Sequence, residues 1–199
     1  MKVNNLLKLG VFAASLNLAN ATVLFSESPG INLSNNPSFA SPLGMTVIGE
    51  NIVSGTINEN GTFQPDVFSI TVPADQQLVE FTISNLSSTG TNHFLLLDDD
   101  LIIDSSSNTP EALFATLVND SNLSENLLLT GGGNEFSATE SFTLPLGAGN
   151  YAIWFQETSN ETVDYSFSFT TEAIPEPSVS ALSILSIIFC FSLRKRRSY

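Results

Sequence analysis

YAIWFQETSNETVDYSFSFTT, residues 151–171, contains two runs, 151–155 and 165–169, in which large apolar side chains recur at every second position. Tyr151, Ile153 and Phe155 fall on one side of the first half, and Tyr165, Phe167 and Phe169 on one side of the second, with Ser166 and Ser168 opposite. A period of two is the spacing of an extended chain with one face buried, because successive side chains of a strand point to opposite faces. Working outward, DVFSITVP sets Phe68, Ile70 and Val72 against Ser69 and Thr71. QLVEFTIS sets Val79, Phe81 and Ile83 against Glu80, Thr82 and Ser84. Short alternating runs bounded by turn residues predict an all-β protein with a single antiparallel β-sandwich, jelly-roll-like, over residues 46–172.

Residues 22–45 are rich in Ser, Asn and Pro after a brief TVLF and read as a lead-in segment with one edge strand. EALFATLVND, residues 111–120, has room for a turn or two of helix at most, since β-branched and turn residues close it off, and the strand order across 105–133 is left open. Fully burying one Phe, Leu, Ile or Val stabilises a fold by about 1.5–3 kcal/mol, so a dozen inward positions suffice without covalent bridges. That sufficiency matters because the chain has one cysteine, Cys190, outside this region.

Charge is segregated along the chain. Of 199 residues, the six basic ones are Lys2, Lys8, Arg194, Lys195, Arg196 and Arg197; of the 20 acidic ones, all but Glu176 lie between residues 22 and 172. A body this anionic repels phosphate backbones, so no nucleic acid is expected as a partner. Its acidity suits colloidal solubility outside a cell, or relief of self-repulsion by bound divalent cations.

Both ends carry apolar segments beside basic residues. MKVNNLLKLGVFAASLNLANA has the layout of a secretory signal peptide, an N-terminal signal helix over 1–21 with cleavage set by the small residues Ala19 and Ala21. That layout implies handling by a Sec translocon and a signal peptidase. At the other end, Pro175-Glu176-Pro177 precedes sixteen uncharged residues, 178–193, and then the cluster Arg194, Lys195, Arg196 and Arg197. Sixteen residues fall just short of the usual span of a bilayer and, with their flanks, predict a C-terminal transmembrane helix. The basic cluster would stay cytoplasmic as an anchor. The two prolines remove backbone donors and stop regular structure, leaving an extended segment that a protease could bind.

The order Pro-Glu-Pro, apolar segment, Arg/Lys cluster over 173–199 resembles the PEP-CTERM sorting signal of Gram-negative bacteria. The resemblance implies recognition by exosortase, a membrane-embedded cysteine protease, in species that make exopolysaccharide. It implies an inner-membrane intermediate and then a cell-surface or extracellular location. The body is similar in turn to the bacterial pre-peptidase C-terminal domain, a β-sandwich of secreted proteins. The likeness rests on GTINENGTFQPDVFSITVPADQQL, HFLLLDDD, LPLGAGNYAIWFQET and VDYSFSF, with Asp66 before the aromatic strand of Phe68 and the turn Gly149-Asn150-Tyr151 before a late strand. It implies a binding or accessory role without proteolysis.

Few residues suggest chemistry. Asp98, Asp100 and Asp104 are candidate ligands for Ca²⁺, which takes six to eight oxygens; the competing reading is a solvated turn after HFLLL. The spacing is not that of an EF-hand, and no other cofactor is indicated. His93 is the sole histidine, so neither a typical zinc site nor a Ser-His-Asp arrangement has its parts, and no G-x-S-x-G elbow occurs. Trp154 falls opposite Ile153 and Phe155; outward, it could stack on a sugar, and otherwise a covering loop or the second sheet packs it. The expectation is therefore no enzyme and no catalytic residues, but an exported surface or matrix protein that binds exopolysaccharide or calcium. The alternative is a small secreted glycan hydrolase working through a pair of carboxylates.

Overall fold

The computed structural model describes residues 21–58, 64–87, 91–101, 103, 112–130, 143–158 and 161–175. Nine strands form two sheets packed face to face: β1 (Thr22–Ser26), β2 (Ser41–Met45), β3 (Gly49–Ile57), β4 (Asp66–Val72), β5 (Gln76–Leu86), β6 (His93–Asp98), β7 (Phe114–Val118), β8 (Gly149–Glu157) and β9 (Val163–Ala173). One sheet has the order β1-β3-β9-β5 and the other β2-β4-β8-β6-β7. This is the all-β sandwich the alternating pattern calls for. The expected terminal helices, over 1–21 and 178–193, lie outside the described residues but for Ala21. Among the described residues no helix is long and apolar enough to cross a membrane.

Not every pair is antiparallel. β1 runs parallel to β3, and β2 parallel to β4, at the edges of their sheets. The chain alternates sheets from β1 to β4, and each crossing reverses its direction. Two crossings restore it, so strands one step apart in the same sheet run the same way. The lead-in thus supplies two edge strands, one to each sheet, where one was expected. It also extends the edge pairing of β4 beyond β2, where Val67 donates its N–H to the Ser34 carbonyl at 2.7 Å.

The inner core follows the predicted phase closely. Phe68, Ile70, Phe81, Ile83, Ile153, Phe155, Phe167 and Phe169 are buried between the sheets. Phe81 stacks on Phe169 with centroids 4.6 Å apart, and Phe155 meets Phe167 edge-on at 5.1 Å. One position breaks the pattern. The register of β5 against β9 shifts between Leu78 and Glu80, so Leu78 is buried and Val79 is only half-buried. A bulge puts an extra residue into one strand and flips the phase beyond it, which alternation alone does not reveal.

Residues 112–120 settle part of what the sequence left open. Instead of a helical turn, Phe114–Val118 forms β7 and pairs with β6 from Leu97 to His93. Phe114, Ala115 and Val118 are all buried, so the strand is packed on both faces and tertiary contact overrides local preference. After β7 the chain returns along the β5 edge. Ile83 bridges Leu123 and Leu78 bridges Leu146, while the Asn126 carboxamide accepts from the Phe81 N–H and donates to the Val79 carbonyl. These contacts cover an edge that would otherwise expose unpaired backbone groups.

Candidate functional site

The two ends of the sandwich differ in the side chains they hold, and the candidate sites divide between them. At the end where β4, β6 and β9 begin, polar residues point inward among apolar ones. Tyr165 and Asp66 join the two sheets there, the phenol donating to Asp66 Oδ2 at 2.7 Å with both residues buried. Burial, reinforced by the charge of Asp66, pushes the Tyr165 phenol well above its ordinary value and keeps it a donor. Beside it, the Glu27 carboxylate accepts from the Leu33 N–H at 2.8 Å and the Thr56 N–H at 2.6 Å. Gly55 lies between them. A Cβ at that position would stand 2.6 Å from the Tyr165 hydroxyl and 2.9 Å from Glu27 Oε2, so no larger residue fits without displacing the network.

His93 sits at the same end, fully buried, with Nδ1 2.5 Å from Oε2 of the equally buried Glu157. Glu157 Oε1 also accepts the Thr158 N–H at 2.9 Å. Burial pulls the imidazole below its ordinary range, opposed by the negative charges of Glu157, Asp120 and Glu161. His93 Nε2 meets no hydrogen-bond partner among the described residues. A histidine held this way is shut off from any substrate in solution.

Two of the three predicted calcium ligands, Asp98 and Asp100, lie at the opposite end. Asp98 is the last residue of β6 and is only 4% exposed, its Oδ1 accepting the Asp100 N–H at 3.2 Å. Burial pushes its carboxyl up to about 6, and the charges of Asp100 and Asp99 add to the shift. Asp99 and Asp100 are exposed and, with Leu101 and Asn150, line a depression of about 440 Å³. Asp104 lies outside the described residues. Among the described residues no three His, Cys, Asp or Glu side chains converge as a metal site would require. Of the predicted sorting and processing residues, Ala21 precedes β1 and Pro175 follows β9; Ala19, Glu176, Pro177, Arg194, Lys195, Arg196 and Arg197 lie outside the described residues.

Trp154 is half-buried on the outer face of the five-stranded sheet. It meets Phe94 edge-on at 5.5 Å and packs against Val67, Leu96, Ala115 and Ala152. Ile103 and Ala112 complete this second cluster, and Ile103 donates its N–H to the Pro37 carbonyl of the lead-in at 3.2 Å. Trp154 is therefore partly packed rather than fully outward.

The outer face of the four-stranded sheet is polar instead. Across its strands Ser54 meets Ser166 at 3.0 Å, Thr56 donates to Asp164 at 2.8 Å, Ser168 to Glu50 at 2.8 Å and Thr170 to Glu80 at 3.2 Å. A depression of about 270 Å³ opens there, lined by Ser54, Thr56, Asn85, Asp164 and Ser166 among others. Such a surface presents hydroxyls and carboxylates, already hydrogen-bonded to one another, to a hydrogen-bonding ligand.

No protein-family model matches this chain. No curated protein matches it. Among solved structures, the chain is similar to the crystal structure at 1.0 Å of the pre-peptidase C-terminal domain of collagenase from Bacillus anthracis. The two are 15% identical, with 69% of this chain and 99% of that one covered and a TM-score of 0.33.

Sequence reasoning missed Glu27, the Tyr165–Asp66 bridge and the His93–Glu157 pair. A signal for two of them was present. Asp66 shares the inward phase of Phe68, Tyr165 that of Phe167, His93 that of Leu95, and Glu157 that of Phe155. Polar residues in the buried phase of facing strands are expected to pair, because burying one alone is costly. Glu27 lies beyond β1 and carries no such phase.

Proposed function

We propose that this chain is an exported bacterial protein whose C-terminal signal is read by exosortase, and that its jelly-roll-like sandwich is a non-catalytic component of the cell surface or extracellular matrix. One observation carries the reading: the pleated body begins at Thr22, directly after the expected signal cleavage at Ala21, and its last strand ends at Ala173, two residues before Pro175. The final backbone bond runs from the Ile174 N–H to the Asp75 carbonyl at 2.8 Å. Cutting at both expected points would therefore remove no strand and uncover no core residue. The polar face of the four-stranded sheet fits a polyhydroxylated partner such as exopolysaccharide. Calcium, if bound, would draw on Asp98 and Asp100 with Asp104.

The test is the intact mass of protein recovered from the outside of an exosortase-bearing host. A mass lacking both ends is expected, and replacing Pro175 and Pro177 by Ala should leave full-length chain in the inner membrane. Release of the double variant at the normal rate would remove the sorting reading.

A further inference from the structure

The end of the sandwich from which the chain leaves toward its apolar tail is itself apolar on the outside. Met45 is 69% exposed, Val47 43%, Ile48 54%, Leu101 48% and Ile174 41%. Strand registers bring them to one rim. Met45 pairs with Thr71, whose hydroxyl donates to Asn150 at 2.8 Å, and Asn150 borders Leu101 in the depression described above. The Val47 carbonyl accepts from the Thr171 hydroxyl at 2.7 Å, two residues before the end of β9, and Ile174 is tied to Asp75 of the β4–β5 turn. Monomeric proteins rarely collect exposed apolar residues on one rim without a surface to meet.

Both chain ends leave here. Thr22 pairs with Asn51 near the start of β3, and Gly49 pairs with Thr171 near the end of β9. From Pro175 to Ser178 a fully extended chain covers about 10 Å, so the uncharged segment 178–193 must begin within that distance of the rim.

From this placement, and resting on the reading of 178–193 as a membrane segment, we infer that the rim of Met45, Val47, Ile48, Leu101 and Ile174 seats on the lipid surface while the tail is embedded. The occupant is lipid because the segment starting so close by would hold the rim at the interface. Asp75, Asp99, Asp100 and Glu172 are exposed around it, so the contact is apolar and suits zwitterionic headgroups better than anionic ones. The seated rim would hold the body upright, with the network end farthest from the bilayer.

The experiment uses the full chain carrying Cys190→Ser, reconstituted in phosphatidylcholine vesicles. A fluorophore is placed on Ala74→Cys in the β4–β5 turn or on Ser28→Cys at the opposite end, with nitroxide-bearing lipid as quencher. Quenching at residue 74 is expected to exceed that at residue 28 several-fold, and Val47→Ser with Ile48→Ser should remove most of the difference. Equal quenching at both positions in protein that survives an alkaline carbonate wash would overturn the seating while leaving the anchor intact. Loss of the protein in that wash would overturn the anchor, and the seating with it. Fluorophore self-quenching that rises with protein density, without lipid quenching, would mean that a second copy covers the rim and would also overturn it.

Discussion

The two ends of this sandwich invert the usual placement of side chains. At one end Glu27, Asp66, His93, Glu157 and Tyr165 are polar groups turned inward, with Asp66, His93, Glu157 and Tyr165 buried. At the other, Met45, Val47, Ile48, Leu101 and Ile174 are apolar groups turned outward. The strand β6 links them, starting on buried His93 and ending on buried Asp98. The contrast teaches that burial alone does not predict how an ionisable group behaves. His93 has a carboxylate within contact distance, whereas Asp98 has a backbone N–H and two like charges.

The largest effect should come from breaking the inward network. Glu157→Ala leaves the buried His93 imidazole without its partner and leaves a gap beside it, and a buried polar group stripped of its partner costs about 1–3 kcal/mol before the lost packing is added. The pH dependence follows from the lowered value of His93. The unfolded imidazole takes up a proton near 6.5, and the folded one only at lower pH. Its contribution is therefore whole above 6.5 and lost as pH falls toward the folded value. Without Glu157 the folded value drops further, so the loss on acidification should deepen. Urea unfolding at pH 7.5 and 5.0 measures both effects. A variant as stable as the parent at both would show that the pair does not hold this end together.

How much of this was legible beforehand depends on which end is considered. The aromatic strands were legible because their period is two over whole segments, and Tyr151, Ile153, Phe155, Phe167 and Phe169 all fall as that period requires. The bulge beside Val79 was not, since it is set by pairing with β9 across about ninety residues of chain. Nor was β7, which becomes a strand because β6 offers it an edge. The His93–Glu157 contact was half-legible: the phase puts both inward, but only strand order makes them neighbours. At the opposite end, the run of three aspartates stood out in the sequence, yet its first member is buried and the other two are exposed.

A middle-sized effect, opposite in sign, is expected at Asp98. A carboxyl raised to about 6 opposes folding once it must ionise in place; the penalty is absent below 3.8 and full above 6. Asp98→Asn keeps an oxygen for the Asp100 N–H and removes the charge. At about 1.4 kcal/mol per pH unit, and with water near the exposed neighbours, it should gain about 1–2 kcal/mol at pH 7.5 and nothing at pH 3.5. Calcium sharpens the comparison. If Asp98 ligates the ion, millimolar Ca²⁺ should raise the Tm of the parent and leave Asp98→Asn unmoved. A parent Tm that ignores Ca²⁺, together with a stabilised variant, would assign Asp98 to strain rather than to a metal.

The smallest effect is expected at the outward apolar rim, and its smallness is the point. Replacing Met45 and Ile48 by Ser removes apolar surface that is already mostly in water, 69% and 54% exposed, so no cavity forms and no core contact of consequence is lost. Surface changes of this kind usually stay within about 0.5 kcal/mol. Thermal unfolding of the double variant should match the parent, in contrast to the loss at Glu157. If the Tm fell by many degrees, the two residues would be covering core, and the rim would belong to the body's own packing. If it did not fall, folding gives no reason for these side chains, and what remains is the surface they face.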